Sequence, residues 1–148
     1  HNMFKKFNFS YSNSSGAIYS LTLKDGKWLY ESKNDTHPMD VMVDGPVTIY
    51  ELKNKEVITS IDSYPAEINP SDHRIKRLHN YLKQYCKRWE KEYGWMQYDD
   101  GNIWECDIEG ENFKLKSRGN VEEPANFETF LHKLTVFTEG KYFGPSLC

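Results

Sequence analysis

The stretch from Pro70 to Gly94 constrains the fold more than any other, because it carries the longest helical period in the chain. At about 100° per residue, Ile75, Leu78, Leu82, Tyr85, Trp89 and Tyr93 fall on one arc, with Tyr81 and Cys86 at its edges. Lys76, Asn80, Lys83, Lys87 and Lys91 form the opposite stripe, flanked by Arg77 and Arg88. The ends are marked too. Asn69 is placed to cap the first turn, Pro70 suits the first helical position, Asp72 puts negative charge near the start, and Gly94 offers a stop. The spacing predicts one amphipathic helix whose aromatic side packs on a sheet and whose basic side faces solvent.

Before this helix the pattern is that of strands. Phe7, Phe9 and Tyr11 alternate with Lys6, Asn8 and Ser10, and Tyr19, Leu21 and Leu23 resume the alternation after Asn13-Ser14-Ser15-Gly16. Asp25-Gly26 then separates this run from Lys27 to Ser32, in which Trp28 and Tyr30 share a face; such a dipeptide between strand-like runs signals a hairpin. From Lys33 to Pro46 no period is sustained, and Asn34, Asp35, His37, Pro38, Asp40, Asp44 and Gly45 read as a long polar loop. Loops often carry function, which makes Asp35, His37 and Asp40 candidates for a binding edge. Val47 to Leu52 and Glu56 to Ile61 read as two further strands, and Tyr64-Pro65 to Pro70 as the connection into the helix.

After it, Asp99-Asp100-Gly101-Asn102 reads as a turn, and Trp104, Cys106 and Ile108 alternate with Glu105, Asp107 and Glu109. Gly110-Glu111-Asn112 turns the chain so that Lys114 and Lys116 face those acids across a hairpin, each pair contributing from a few tenths to about 1 kcal/mol. Pro124 opens a second amphipathic helix, with Phe127, Phe130, Leu131, Leu134 and Phe137 at spacings of three and four, and Gly140 closes it. Runs of strands followed by helices suit an α+β fold. The expected architecture is one domain over residues 3–140, an antiparallel sheet of five to seven strands packed against two amphipathic helices. Residues 141–148 then form a tail that is loose or packs through Tyr142 and Phe143, and His1-Asn2 before Met3 reads as a cloning remnant.

Size and charge narrow the function. A chain of 148 residues buries roughly 68–70% of its unfolded surface, and an aromatic content of 15% supplies much of the core. No apolar run approaches the roughly 20 residues of a membrane helix. Cys86, Cys106 and Cys148 are odd in number and lack the close pairing of a zinc or redox motif, so they read as free thiols in a reducing cytoplasm. The net charge of −3 conceals segregation: seven Lys or Arg against three acids between Asp72 and Glu92, then nine acids against three bases between Asp99 and Glu128.

In the last third, Asp100-Gly101, Trp104, Gly110, Gly119-Asn120, Pro124, Asn126-Phe127, Phe130 and Leu134 resemble the ending of small bacterial α+β proteins of the domain-of-unknown-function type. These share an aspartate-glycine turn, a tryptophan strand, a glycine-asparagine bend and a proline-started helix; Trp89, late in the preceding helix, is also similar. The resemblance covers residues from about 70 to 139. It implies a compact α+β fold and assigns no activity and no catalytic residue.

No motif for chemistry stands out. His37, His73, His79 and His132 form no His-x3-His or His-Glu-x-x-His spacing, so no metal is expected, and the scattered glycines make no phosphate-cradling loop. Ser14-Ser15-Gly16 lacks a nucleophile elbow, and Cys86 lies beside a buried helical face. With no catalytic residue and no cofactor indicated, the chain reads as a non-enzymatic, cytoplasmic bacterial protein that binds another macromolecule, a protein partner in the manner of immunity or inhibitor proteins. The candidate surface is Lys76, Asn80, Lys83, Lys87 and Lys91, with Asp35, His37 and Asp40 of the loop. Two alternatives stand beside it: a nucleic-acid binder using that basic face, whose lysine spacing suits a phosphate backbone, and a small hydrolase or ligand-binding domain.

Overall fold

The computed structural model describes residues 3–33 and 63–144. The elements are β1 (Phe4–Ser12), β2 (Ile18–Lys24), β3 (Lys27–Lys33), β4 (Ser63–Ile68), α1 (Asp72–Tyr85), β5 (Glu92–Tyr93), β6 (Ile103–Gly110), β7 (Phe113–Asn120) and α2 (Phe127–Phe137). Among the described residues the strands form one seven-stranded sheet in the order β4-β3-β2-β1-β6-β7-β5, every pair antiparallel except the two-residue β5, which runs parallel to β7. This is the α+β architecture expected, an antiparallel sheet with two helices on one face.

Alternation decides which face. Phe7, Phe9 and Tyr11 of β1, Trp28 and Tyr30 of β3, and Trp104, Cys106 and Ile108 of β6 all point into the core. They meet Ile75, Leu78 and Leu82 of α1 and Phe127, Phe130, Leu131, Leu134 and Phe137 of α2. Edge-to-face ring contacts join the layers: Phe9 to Phe130 at 5.2 Å, Trp28 to Phe137 at 4.9 Å and Phe4 to His79 at 5.3 Å between centroids. Past α2, Phe143 is fully buried against Phe9 and Tyr30, and the Tyr30 hydroxyl donates to the Tyr142 carbonyl at 2.6 Å.

The hairpins form where the turn chemistry indicates. Asp25 and Gly26 both take positive φ, 53° and 77°, as a two-residue turn between right-twisted strands requires. In the β6–β7 hairpin Glu105 faces Arg118, Asp107 faces Lys116 and Glu109 faces Lys114. Asp107 makes its ion pair sideways, with Lys6 of β1 at 3.3 Å. Asp100-Gly101 does not close a hairpin, because β6 has β1 and β7 as its neighbours.

The helix expected over Pro70–Gly94 is shorter. Ser71, not Asn69, is the cap, its side chain accepting from the Arg74 backbone N–H at 3.2 Å, and Asp72 is the first helical residue. The helix stops at Tyr85 rather than Gly94. Continuing it would carry Trp89 along the helix axis, whereas the bent chain sets its ring against Trp104, Phe127 and Phe130, 5.1–6.0 Å between centroids. Tyr93 pairs with Gly119 in β5, and Tyr85 is 58% exposed instead of buried. Likewise α2 begins at Phe127, not Pro124: the chain first makes a turn in which the Phe127 N–H donates to the Pro124 carbonyl at 3.0 Å, and Asn126 stands at the cap position without a side-chain cap bond.

The segment expected to be a connection, Tyr64-Pro65 to Pro70, contains strand β4, paired with β3. Proline lacks a ladder donor and is tolerated in an edge strand, and β4 is the last strand of the sheet on that side among the described residues. The loop from Asn34 and the strands expected at 47–52 and 56–61 lie outside the described residues, as do Asp35, His37 and Asp40.

Candidate binding surfaces

Helix α1 lies with Ile75, Leu78, His79 and Leu82 inward, which fixes where its cations go. Lys76, Arg77 and Asn80 are exposed and Lys83 is half-buried on the outer side. Lys87 and Arg88 follow in the turn beyond Tyr85, and Asn80, Lys83, Gln84, Lys87 and Arg88 border one shallow depression. Lys91 is exposed but leaves the row, since the chain has turned towards β5 and its carbonyl accepts the Arg118 N–H at 3.0 Å. The structure therefore groups Asn80, Lys83 and Lys87, keeps Lys76 on the same helix, and sets Lys91 apart.

Ion pairing separates this face from the rest. Lys6 pairs with Asp107, Arg74 with Glu139 at 3.2 Å, and Arg118 with Glu92 at 2.7 Å. Among the described residues no such pair engages Lys76, Arg77, Lys83, Lys87 or Arg88. His79 lies on the other side of the helix as part of the core, 2% exposed, its Nε2 accepting the Glu111 backbone N–H at 2.9 Å. That acceptor role places the proton on Nδ1, and the ring packs edge-on against Phe4 and Phe113.

Beside this face runs a groove of about 300 Å³ between the helices, lined by Arg74, Arg77, Leu78, His132, Lys133, Val136 and Phe137. Arg74 is held at its edge, donating to Glu139 and to the Phe137 carbonyl at 2.7 Å. Val136, 56% exposed, is left as an apolar floor between Arg77 and Lys133. Lys133 also sits 5.3 Å over the Tyr81 ring.

A second surface escapes any reading of periodicity. Residues 94–102 fold over the end of β7 and are tied to it by backbone and amide groups. The Tyr98 N–H donates to Asn120 Oδ1 at 3.3 Å, Asn120 Nδ2 to the Asn102 carbonyl at 3.1 Å, and the Val121 N–H to the same carbonyl at 3.0 Å. The Tyr98 hydroxyl donates to Glu122 Oε2 at 2.6 Å, which raises the phenol's pKa. The result is a pinned platform on which Met96 is 79%, Tyr98 41% and Val121 39% exposed. Asp99, Asp100, Glu122 and Glu123, next to them in the chain, are exposed as well. Met96 and Val121 have φ of 63° and 69°, and for a β-branched residue such as Val121 this conformation is strained.

The face of the sheet opposite the two described helices carries Asn8, Ser10, Ser20, Thr22, Glu105, Lys116 and Arg118 around a recess of about 320 Å³. Arg118 is already engaged, paired with Glu92 and stacked 4.1 Å over the Trp95 ring. The thiols offer little chemistry. Burial pushes Cys86 up to about 12 and Cys106 well above the ordinary thiol range, so neither is a nucleophile near neutral pH. Among the described residues no three His, Cys, Asp or Glu side chains converge as metal ligands, and no helix is long and apolar enough to cross a membrane. No protein-family model, no curated protein and no solved structure matches the chain, so its surfaces are read from their own chemistry.

Proposed function

We propose that this chain is a non-enzymatic, cytoplasmic bacterial protein that acts by binding a protein partner through the outer face of α1, in the manner of immunity or inhibitor proteins. One observation supports the reading: Lys76, Arg77, Lys83, Lys87 and Arg88 have no acidic partner among the described residues, whereas Lys6, Arg74 and Arg118 do. Cations without an ion-pair partner along a helix and the turn that follows it create a local positive potential that steers an acidic surface into register. Tyr85, exposed at the end of the same helix, adds the kind of ring that anchors interfaces.

The same ring favours a second reading, because cations with an exposed aromatic also suit single-stranded nucleic acid, the bases stacking while the lysines follow the phosphates. Affinity capture from native lysate, with and without nuclease, separates the two. Wild-type protein should retain a nuclease-resistant protein that a K76E/K83E/K87E variant with an unchanged circular dichroism spectrum loses. Retention that disappears with nuclease replaces the protein partner with nucleic acid. Capture of the same proteins by wild type and variant overturns the assignment of the surface.

A further inference from the structure

Two surfaces of this chain have complementary chemistry, and among the described residues no ion pair joins Asp99, Asp100 or Glu123 of one, or Arg77 or Lys133 of the other, to an opposite charge. The platform at residues 96–100 and 120–123 offers Met96, Tyr98 and Val121 among Asp99, Asp100, Glu122 and Glu123. The groove between α1 and α2 offers an exposed Val136 between Arg77 and Lys133, with Tyr81 and Tyr85 further along α1. The opposite charges nearest each surface do not cancel the pattern. Arg118, below the platform, is tied to Glu92, and Glu139, at the groove's edge, is tied to Arg74.

One molecule cannot close these surfaces on each other. Val121 precedes the first turn of α2 and Val136 lies in its last turn, and 11 helical residues extend about 16 Å at roughly 1.5 Å each. Contact therefore needs a second molecule. Exposed apolar side chains ringed by one sign of charge mark an association site, and Met96, long and unbranched, adapts to an irregular groove. The backbone supports this use. Val121 is held in a strained conformation by the Asn102 and Asn120 hydrogen bonds while 39% of it stays exposed, so the fold maintains strain at a position outside its buried core.

We propose that the chain associates with a second copy of itself, the acidic, Met96-tipped platform of one molecule seating in the cationic α1–α2 groove of the other. Either both molecules exchange platforms in a symmetric pair, or each uses one, head to tail. The contact uses Arg77 and Lys133 and does not need Lys76, Lys83 or Lys87. The K76E/K83E/K87E variant should therefore still self-associate, which separates failure of this contact from failure of the partner-binding face.

The test is sedimentation velocity across a concentration series at low and high salt, with D99K/D100K and R77E/K133E variants checked for native circular dichroism. Wild type should shift from monomer to dimer or larger with concentration, less so at high salt, and each variant should weaken this at least tenfold. Mixing the two variants should restore assembly, because the groove of the first still meets the platform of the second. The Met96 methyl resonance should move with wild-type concentration. A wild type that stays monomeric to millimolar concentration overturns the proposal, as does assembly that survives both variants or a mixture that stays monomeric. Binding of the platform to an added basic protein such as egg-white lysozyme, with no self-association, would replace the second copy with a cationic partner.

Discussion

Replacing Asn126 by alanine should destabilise the fold out of proportion to its size, because this one amide connects the end of α1 to the start of α2. Its Oδ1 accepts the Trp89 indole N–H at 2.8 Å, and its Nδ2 donates to the Tyr85 carbonyl at 3.1 Å and lies 3.4 Å from the Tyr81 hydroxyl. Truncation leaves the indole N–H without an acceptor in a partly buried site, which costs about 1–3 kcal/mol, while the Tyr85 carbonyl can turn to water and loses only about 1 kcal/mol. The sum is about 2–4 kcal/mol, equivalent to a fall of about 5–15 °C in melting temperature for a domain of this size. Urea unfolding followed by tryptophan fluorescence gives the free energy, and a cycle with Trp89→Phe isolates the coupling. In the Trp89→Phe background no indole N–H is left to strand, so Asn126→Ala should cost about 1 kcal/mol. Equal costs in the two backgrounds would refute the reasoning and leave Asn126 as a simple packing residue.

Other outcomes follow from the same coordinates. A Cβ at Gly119 would collide with Trp104 Nε1 and lie 2.5 Å from the Glu122 carbonyl, which accepts from that indole at 3.1 Å, so Gly119→Ala should cost about 3 kcal/mol and alter native tryptophan emission. In a Cys148→Ser background, Ellman's reagent should label no thiol in the native protein and both Cys86 and Cys106 after unfolding; fast native labelling would show that those sites open. Desolvation, then Glu128, raises the Glu123 carboxyl, so the native state favours its neutral form. That contribution is present below the unfolded carboxylate pKa and is lost as pH rises through the folded one. Glu123→Gln should accordingly stabilise at neutral pH by a few tenths of a kcal/mol, kept small because the side chain is exposed, and the gain should vanish on acidification. A gain that grows towards acid would reverse the assigned sign.

Much of this fold is legible in the order of residues, and the parts that are not share a cause. The strands β1, β2, β3, β6 and β7 follow from alternation because one face of each packs on helices and the other does not. The end of α1 does not follow, because Trp89 and Tyr93 continue the helical period while the chain bends at Cys86 to stack Trp89 on Phe130 and Trp104. Strand β4 was hidden by Pro65, whose bias against strands holds for central positions and relaxes at an edge. The lysine stripe was visible because one helix carries most of it. The acidic platform was not, because the segment carrying Met96 and Tyr98 is tied to the end of β7 by the side chains of Asn120 and Glu122, more than twenty residues beyond Tyr98. Gly119-Asn120 marked a bend, without indicating which residues the bend would expose.

The position of β1 has a consequence for how the chain is made. Strand β1, made before the other described strands, lies in the middle of the sheet, between β2 and β6, and its contact from Lys6 to Asp107 spans 101 residues. At about 5–20 residues per second, that partner is synthesised roughly 5–20 s after β1. Until then the β1–β2–β3 meander carries Phe7, Phe9, Tyr11, Trp28 and Tyr30 without α2 to cover them and with β1's second edge unpaired. Such a nascent chain is a template for pairing with its neighbours on the same message. Folding that must wait for so distant a strand is slow, and the yield of this protein in a cell should depend on the chaperones that guard that interval as much as on its final stability.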